Sequence, residues 1–127
     1  MDVSKYIGLE FEDRGRGPKY DCYGLCVRVL EDECGHKLPD FSDEYIHAHD
    51  KFNIPLLVAK ERPNWKKVDT PEPGNVVVFS IGGMPLHVGV VLDNRKMLHI
   101  AKGINACIED FTSKKWASRV EGFYAYN

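Results

Sequence analysis

The chain has 127 residues, 43% hydrophobic and 28% charged, with 11 glycines and 7 prolines, the make-up of one folded domain over residues 1–127 and too apolar for a disordered chain. Its 17 Lys/Arg against 19 Asp/Glu leave a net charge of −2, so the basic footprint of a nucleic-acid binder is missing. No apolar run approaches the ~20 residues of a membrane helix; neither a nucleic-acid nor a membrane partner is expected.

The amino terminus mixes charges with isolated apolar residues and lacks the uninterrupted apolar stretch of a secretory signal peptide. Synthesis and first folding in the cytoplasm are expected, with Cys22, Cys26, Cys34 and Cys107 as free thiols. Residues 1–20 read as a loop-rich lead-in punctuated by Gly15, Gly17 and Pro18. From Cys22 the apolar positions Leu25, Cys26, Val29, Leu30 and Cys34 fall on one helical face. Asp21 stands where an N-cap belongs and Gly35 where a C-cap belongs, which predicts a helix over 22–34.

Residues 42–62 read as two short helices, the first capped by Ser42, the second carrying Pro55 in its first turn and ending before Pro63. Beyond Pro71-Glu72-Pro73-Gly74 the pattern turns to strands at 76–79, 86–92 and 97–101, separated by Gly82-Gly83 and Asp93-Asn94. A last strand is expected at 122–126. The fold class is α+β: N-terminal helices packed on an antiparallel β-meander.

Cys22 is the residue that calls for an explanation. In the first turn of a helix a thiol meets unsatisfied N–H groups and the positive end of the macrodipole, which favours thiolate. The same N–H groups would hold an oxyanion, and Gly24 would let a substrate backbone approach. The alternative is a small core residue like Cys26. His87 opens an otherwise apolar strand, and His99 has equal parity about the turn at 93–95, so the two share a face. Cys22, His87 and His99 are therefore a candidate nucleophile, base and orienting group.

Other histidines carry less. His47 and His49 read as surface residues, and His36 as a cation at a helix C-terminus. A zinc site from Cys22, Cys26, Cys34 and His36 fails on distance, since its ends lie ~18 Å apart along the helix; no metal and no cofactor are expected. Arg14, Arg16 and Lys19 stand beside the nucleophile, either to meet a carboxylate-bearing substrate or as solvated charges.

At Asp21-Cys22-Tyr23-Gly24-Leu25, His87-Val88-Gly89-Val90 and Met97-Leu98-His99 the chain resembles the NlpC-type cell-wall cysteine peptidases, and looks most similar to their phage-tail branch. The likeness runs through Tyr6-Ile7-Gly8, Gly15-Arg16, Leu38-Pro39-Asp40, Trp65, Pro73-Gly74 and Val120-Glu121-Gly122-Phe123-Tyr124, almost the whole chain in order. It implies a compact papain-like fold and cleavage of murein stem peptides, commonly at the γ-D-glutamyl–diaminopimelate bond. It also implies Cys22 as nucleophile, His87 as base and His99 as the orienting residue, with Tyr6, Arg16, Tyr23 and Gly24 on the substrate side. Tail-tip proteins would be the partners and the virion the location. The alternative is a structural tail component whose site is unused. Tyr23 stands where the phage-tail branch has Trp, Asn75 where an Asp is common, and Ala125 where an Arg is common.

Overall fold

Asp21 begins the first helix in extended backbone geometry (φ −93°, ψ −176°), and its carboxylate accepts the N–H of Gly24 at 2.7 Å. This is how a capping Asp satisfies one of the orphan donors of a helix start. In the computed structural model, which describes residues 1–127, helix α1 runs over Cys22–Cys34 and stops at Gly35 with φ 71°, a left-handed position that glycine adopts without steric cost. Its stripe of Leu25, Cys26, Val29 and Leu30 is buried. The expected helix and both of its caps are present.

No helix starts at Ser42. Residues 42–52 form turns and bends, because aspartate side chains take the N–H groups that a helix would use. Asp40 accepts the Ser42 N–H at 2.8 Å, and Asp50 accepts those of Ile46, Phe52 and Asn53 at 2.9, 3.1 and 2.9 Å. Helix α2 then spans Asn53–Glu61 with Pro55 in its first turn, and a short 3₁₀ turn at Arg62–Asn64 contains Pro63. Another 3₁₀ turn lies at Ser4–Tyr6 in the lead-in.

Six strands follow: β1 Trp65–Val68, β2 Val76–Ile81, β3 Met84–Val91, β4 Lys96–Ala101, β5 Ile104–Asp110 and β6 Val120–Tyr126. They make one antiparallel sheet in the order β1-β6-β2-β3-β4-β5. The meander therefore covers only β2 to β5. The chain then returns, and β6 pairs between β1 and β2. Strand β1 is a charged edge whose Lys66 and Lys67 are exposed, which hides it from an apolar-pattern reading; β5 is the other strand that pattern missed.

The sheet separates two cores. On one face α1 packs with Tyr6, Tyr20 and Leu38 against Val76, Val90, Leu98 and Ile100. On the other, Val77, Phe79, Val91 and Met97 meet Phe111 and Trp116. The alternation of neighbours such as Val76/Val77 and Met97/Leu98 between the two is the period-two rule of a strand. All four cysteines are free thiols, and no helix is long and apolar enough to cross a membrane.

Candidate active site

The first turn of α1 ends against the backbone of β3. Cys22 is 8% exposed, and burial, followed by the neighbouring Asp21 charge, pushes its thiol up to about 12; the N–H groups of Val88, Tyr23 and Cys22 itself pull the other way and lose. The expectation that the helix start favours thiolate is thus reversed: desolvation of a buried anion outweighs the dipole. The resting group is a thiol. Within the first turn of α1 the Gly24 N–H is held by Asp21, while the N–H groups of Cys22 and Tyr23 face the sulfur, as does that of Val88 on β3.

His87 and His99 lie on the sheet face turned away from α1, among Phe79, Met97 and Trp116. Strands β3 and β4 pair Val90 with Leu98 and Val91 with Met97, which gives His87 and His99 the same parity, as expected. His87 Nε2 and His99 Nδ1 are 3.0 Å apart. Between them sits Gly89, where a Cβ would come within 3.3 Å of the His99 Cβ and 3.0 Å of the Met97 sulfur; a side chain there would press on the histidine pair. His87 stacks on Trp116 (centroids 5.5 Å apart, planes at 18°). Burial, then the neighbouring cationic-type groups His99, His49 and Lys115, push the His87 imidazole down to about 3, and burial lowers His99 as well. Both are neutral bases near neutral pH.

Cys22 and His87 line one groove of about 440 Å³ that curls around the start of β3, together with Asp13, His47, His49 and Lys102. No hydrogen bond joins the Cys22 sulfur to His87. On its other side Cys22 borders an apolar cavity of about 140 Å³ between α2 and the sheet, walled by Tyr23, Leu57, Val58, Val78 and Val88. The sulfur thus stands between a polar groove and an apolar cavity, with a neutral imidazole on the groove side.

The residues expected on the substrate side fare differently. Tyr6 is wholly buried, its hydroxyl on Glu33 at 2.6 Å, so it offers no surface to a ligand. Gly24 is a packing glycine, since a Cβ there would lie 2.0 Å from the Gly15 carbonyl oxygen; the close approach is made by the lead-in loop, not by a substrate. Arg16 is neither a free carboxylate receptor nor solvated. Its guanidinium reaches Asp21 at 3.1 Å, the Asp40 carbonyl at 2.7 Å and the Tyr45 hydroxyl at 2.8 Å. Tyr23 lines the apolar cavity, and its hydroxyl donates to the Pro39 carbonyl at 2.7 Å. His36 packs on Tyr126 at the far end of α1.

Four further residues belong here, of which Glu109 had no place in the sequence analysis and Cys107 entered it only as a free thiol. His47 and His49 are exposed as expected, but on the groove itself. Glu109 Oε2 lies 2.5 Å from His99 Nε2, and its Oε1 accepts the Trp116 indole N–H at 3.3 Å. Cys107 Sγ is 3.9 Å from the same His99 nitrogen. Donor atoms of His99, Cys107 and Glu109 fall within 4.8 Å of one another, close enough for a metal ion, although the nearest two already share a hydrogen bond.

The fold has counterparts among solved structures. A protein of the NlpC/P60 family from Bacillus cereus superposes with a TM-score of 0.70 at 18% identity, over 95% of this chain and 36% of its own. A Staphylococcus aureus protein described as similar to lipoprotein, of the NLP/P60 family, gives 0.68 at 20% identity over 96% of this chain and 38% of its own. The NlpC/p60 domain of the peptidoglycan hydrolase SagA gives 0.62 at 16% identity, over 95% of this chain and 90% of that domain. The chain thus spans well under half the length of the first two. No protein of curated function matches. The sequence model of the NlpC/P60 family matches residues 8–124, and the chain belongs to that family of cysteine peptidases and peptidoglycan hydrolases.

Proposed function

We propose that this protein is a cysteine endopeptidase of peptidoglycan, cutting the stem peptide at the γ-D-glutamyl–diaminopimelate bond. The observation that carries the reading is a thiol in the first turn of a capped helix, sharing one groove with His87, whose imidazole is hydrogen-bonded to the buried His99. Membership of the NlpC/P60 family supports the substrate class.

In this mechanism Cys22 attacks the scissile carbonyl as neutral His87 takes its proton. The coupling matters because the thiol is weakly acidic and the imidazole weakly basic in their resting surroundings; substrate must bring them together. The Cys22 and Tyr23 N–H groups hold the oxyanion. Protonated His87 returns its proton to the leaving amine, and water, deprotonated by His87, releases the acyl group from the sulfur. His99 orients His87 throughout. The resemblance to the phage-tail branch makes a virion the setting and tail-tip proteins the partners, which detection of the chain in purified particles would test.

The burial of Cys22 favours one other reading, a structural domain whose site is unused. The two separate in one experiment: mass spectrometry of an L-Ala-γ-D-Glu-diaminopimelate peptide incubated with wild type and Cys22→Ala. Cleavage by the wild type alone, with a loss of at least about 10³-fold in the variant, is expected. Equal cleavage by both would remove Cys22 as nucleophile. No cleavage, with Cys22 unreactive to iodoacetamide, would favour the structural role.

A further inference from the structure

Beyond His99 the chain of polar contacts continues to a carboxylate that the Cys-His-His reading does not use. We infer that Glu109 is a positioning residue that sets the tautomers of both histidines, so that the working unit is Cys22, His87, His99 and Glu109 in line. The catalytic consequence rests on the thiol-peptidase reading; the tautomers themselves do not.

The argument follows the protons. A carboxylate has none to give, so the proton in the 2.5 Å contact sits on His99 Nε2. A neutral imidazole carries only one N–H, which leaves His99 Nδ1 as an acceptor. The 3.0 Å contact to His87 Nε2 therefore needs its proton on His87 Nε2. His87 Nδ1 is then the unprotonated nitrogen, free to take the thiol proton. Reverse the first contact and each following one reverses: a donor facing His99 Nε2 puts the proton on His99 Nδ1, then on His87 Nδ1, and the base is lost. Orientation by a hydrogen bond to the far nitrogen is a general device for histidine.

The surroundings suit this role. His99 is 1% exposed and His87 5%, so water does not compete for their nitrogens. The Trp116 indole N–H holds Glu109 Oε1, turning Oε2 toward His99, while the Trp116 ring lies against both imidazoles. The hydrogen bonds from His99 and Trp116 outweigh the cost of partial burial and hold the Glu109 carboxyl below its usual range. Cys107 also approaches His99 Nε2, but at 3.9 Å against 2.5 Å.

Trp116 makes the test sharper than a simple deletion. In Glu109→Gln the indole N–H selects the amide oxygen for the Oε1 place, so the amide NH₂ faces His99 Nε2 as a donor. The near-isosteric variant is therefore the damaging one, whereas a packing role would leave it harmless. Two-bond ¹⁵N–¹H correlation spectra of the folded protein at neutral pH read the tautomers with no substrate present. Wild type is expected to show Nε2–H on both His87 and His99, and Glu109→Gln to show Nδ1–H on both. Turnover of the stem peptide should fall by about 10²-fold or more in kcat, with KM within about twofold because Glu109 does not line the groove; Glu109→Asp should recover part of the loss. Nδ1–H tautomers in the wild type, or unchanged tautomers in Glu109→Gln, would overturn the inference. If the wild type cuts no stem peptide while the spectra behave as stated, the substrate assignment fails and the relay stands.

Discussion

At the helix end of the site the Asp21 carboxylate is 1% exposed and takes four partners: the N–H groups of Arg14 and Gly24, the Arg16 guanidinium and the Tyr45 hydroxyl. At the sheet end the Glu109 carboxylate keeps about 29% of its side-chain surface and takes two, from His99 and Trp116. The first is saturated by groups that do not titrate near neutral pH. The second leans on an imidazole, whose proton can sit on either nitrogen. A saturated buried carboxylate holds a scaffold in place; a partly exposed one bonded to histidine has chemistry to direct. Asp21 joins the lead-in loop, the start of α1 and the 40–45 turn, and Glu109 joins β5 to the imidazoles.

The comparison breaks most visibly in stability. Asp21→Ala removes a helix cap and strands a largely buried Arg16, and is expected to cost about 4 kcal/mol. Urea unfolding should show this as a lower midpoint at unchanged slope. Glu109→Gln should lose less than about 1 kcal/mol, because the amide can still hydrogen-bond both His99 and Trp116; a loss matching that of Asp21→Ala would erase the distinction.

Acid should attack the sheet end first. His87 is held down to about 3 in the folded chain against about 6.5 when unfolded. Below about 6.5 the unfolded state takes up a proton that the folded state refuses. The contribution is therefore intact above that pH and drains as pH falls toward about 3. Denaturation followed from pH 7 to 4 should lose stability more steeply in the wild type than in His87→Gln. Equal slopes would mean that His87 is not the buried neutral group described.

A small effect belongs to the loop that crosses the helix start. Gly24→Ala adds a methyl 2.0 Å from the Gly15 carbonyl oxygen. Overpacking of about 2 kcal/mol should exceed the ~1 kcal/mol that Ala brings to a helix. A stabilised Gly24→Ala, measured by thermal unfolding, would show that the lead-in loop can give way.

Much of this molecule could be read along the chain. Helix α1 declares itself through Asp21, its apolar spacing and Gly35, all local signals. The shared face of His87 and His99 follows from counting residues about a short turn, because side chains alternate strictly along paired strands. Segment 42–52 could not be read so, since Asp40 and Asp50 capture N–H groups that composition assigns to a helix. Nor could Arg16 or Tyr6 be placed, because whether a polar side chain meets a substrate or a neighbour depends on what folds over it.

Glu109 marks the boundary most clearly. A hairpin counted from Ala101 opposite Ile104 would put Ala106 across from His99 and turn Glu109 to the other face. A register shift between His99 and Ala101 adds one residue, and Cys107 stands opposite His99 instead, with Glu109 two residues on, on the same face. The sequence by itself determined the capped cysteine helix and the histidine pair, since these depend on neighbours three to twelve residues away. Only the tertiary structure decided which carboxylate stands behind that pair and how deeply the thiol is buried, because a one-residue bulge and the packing of α1 on β3 are set by contacts across the whole sheet.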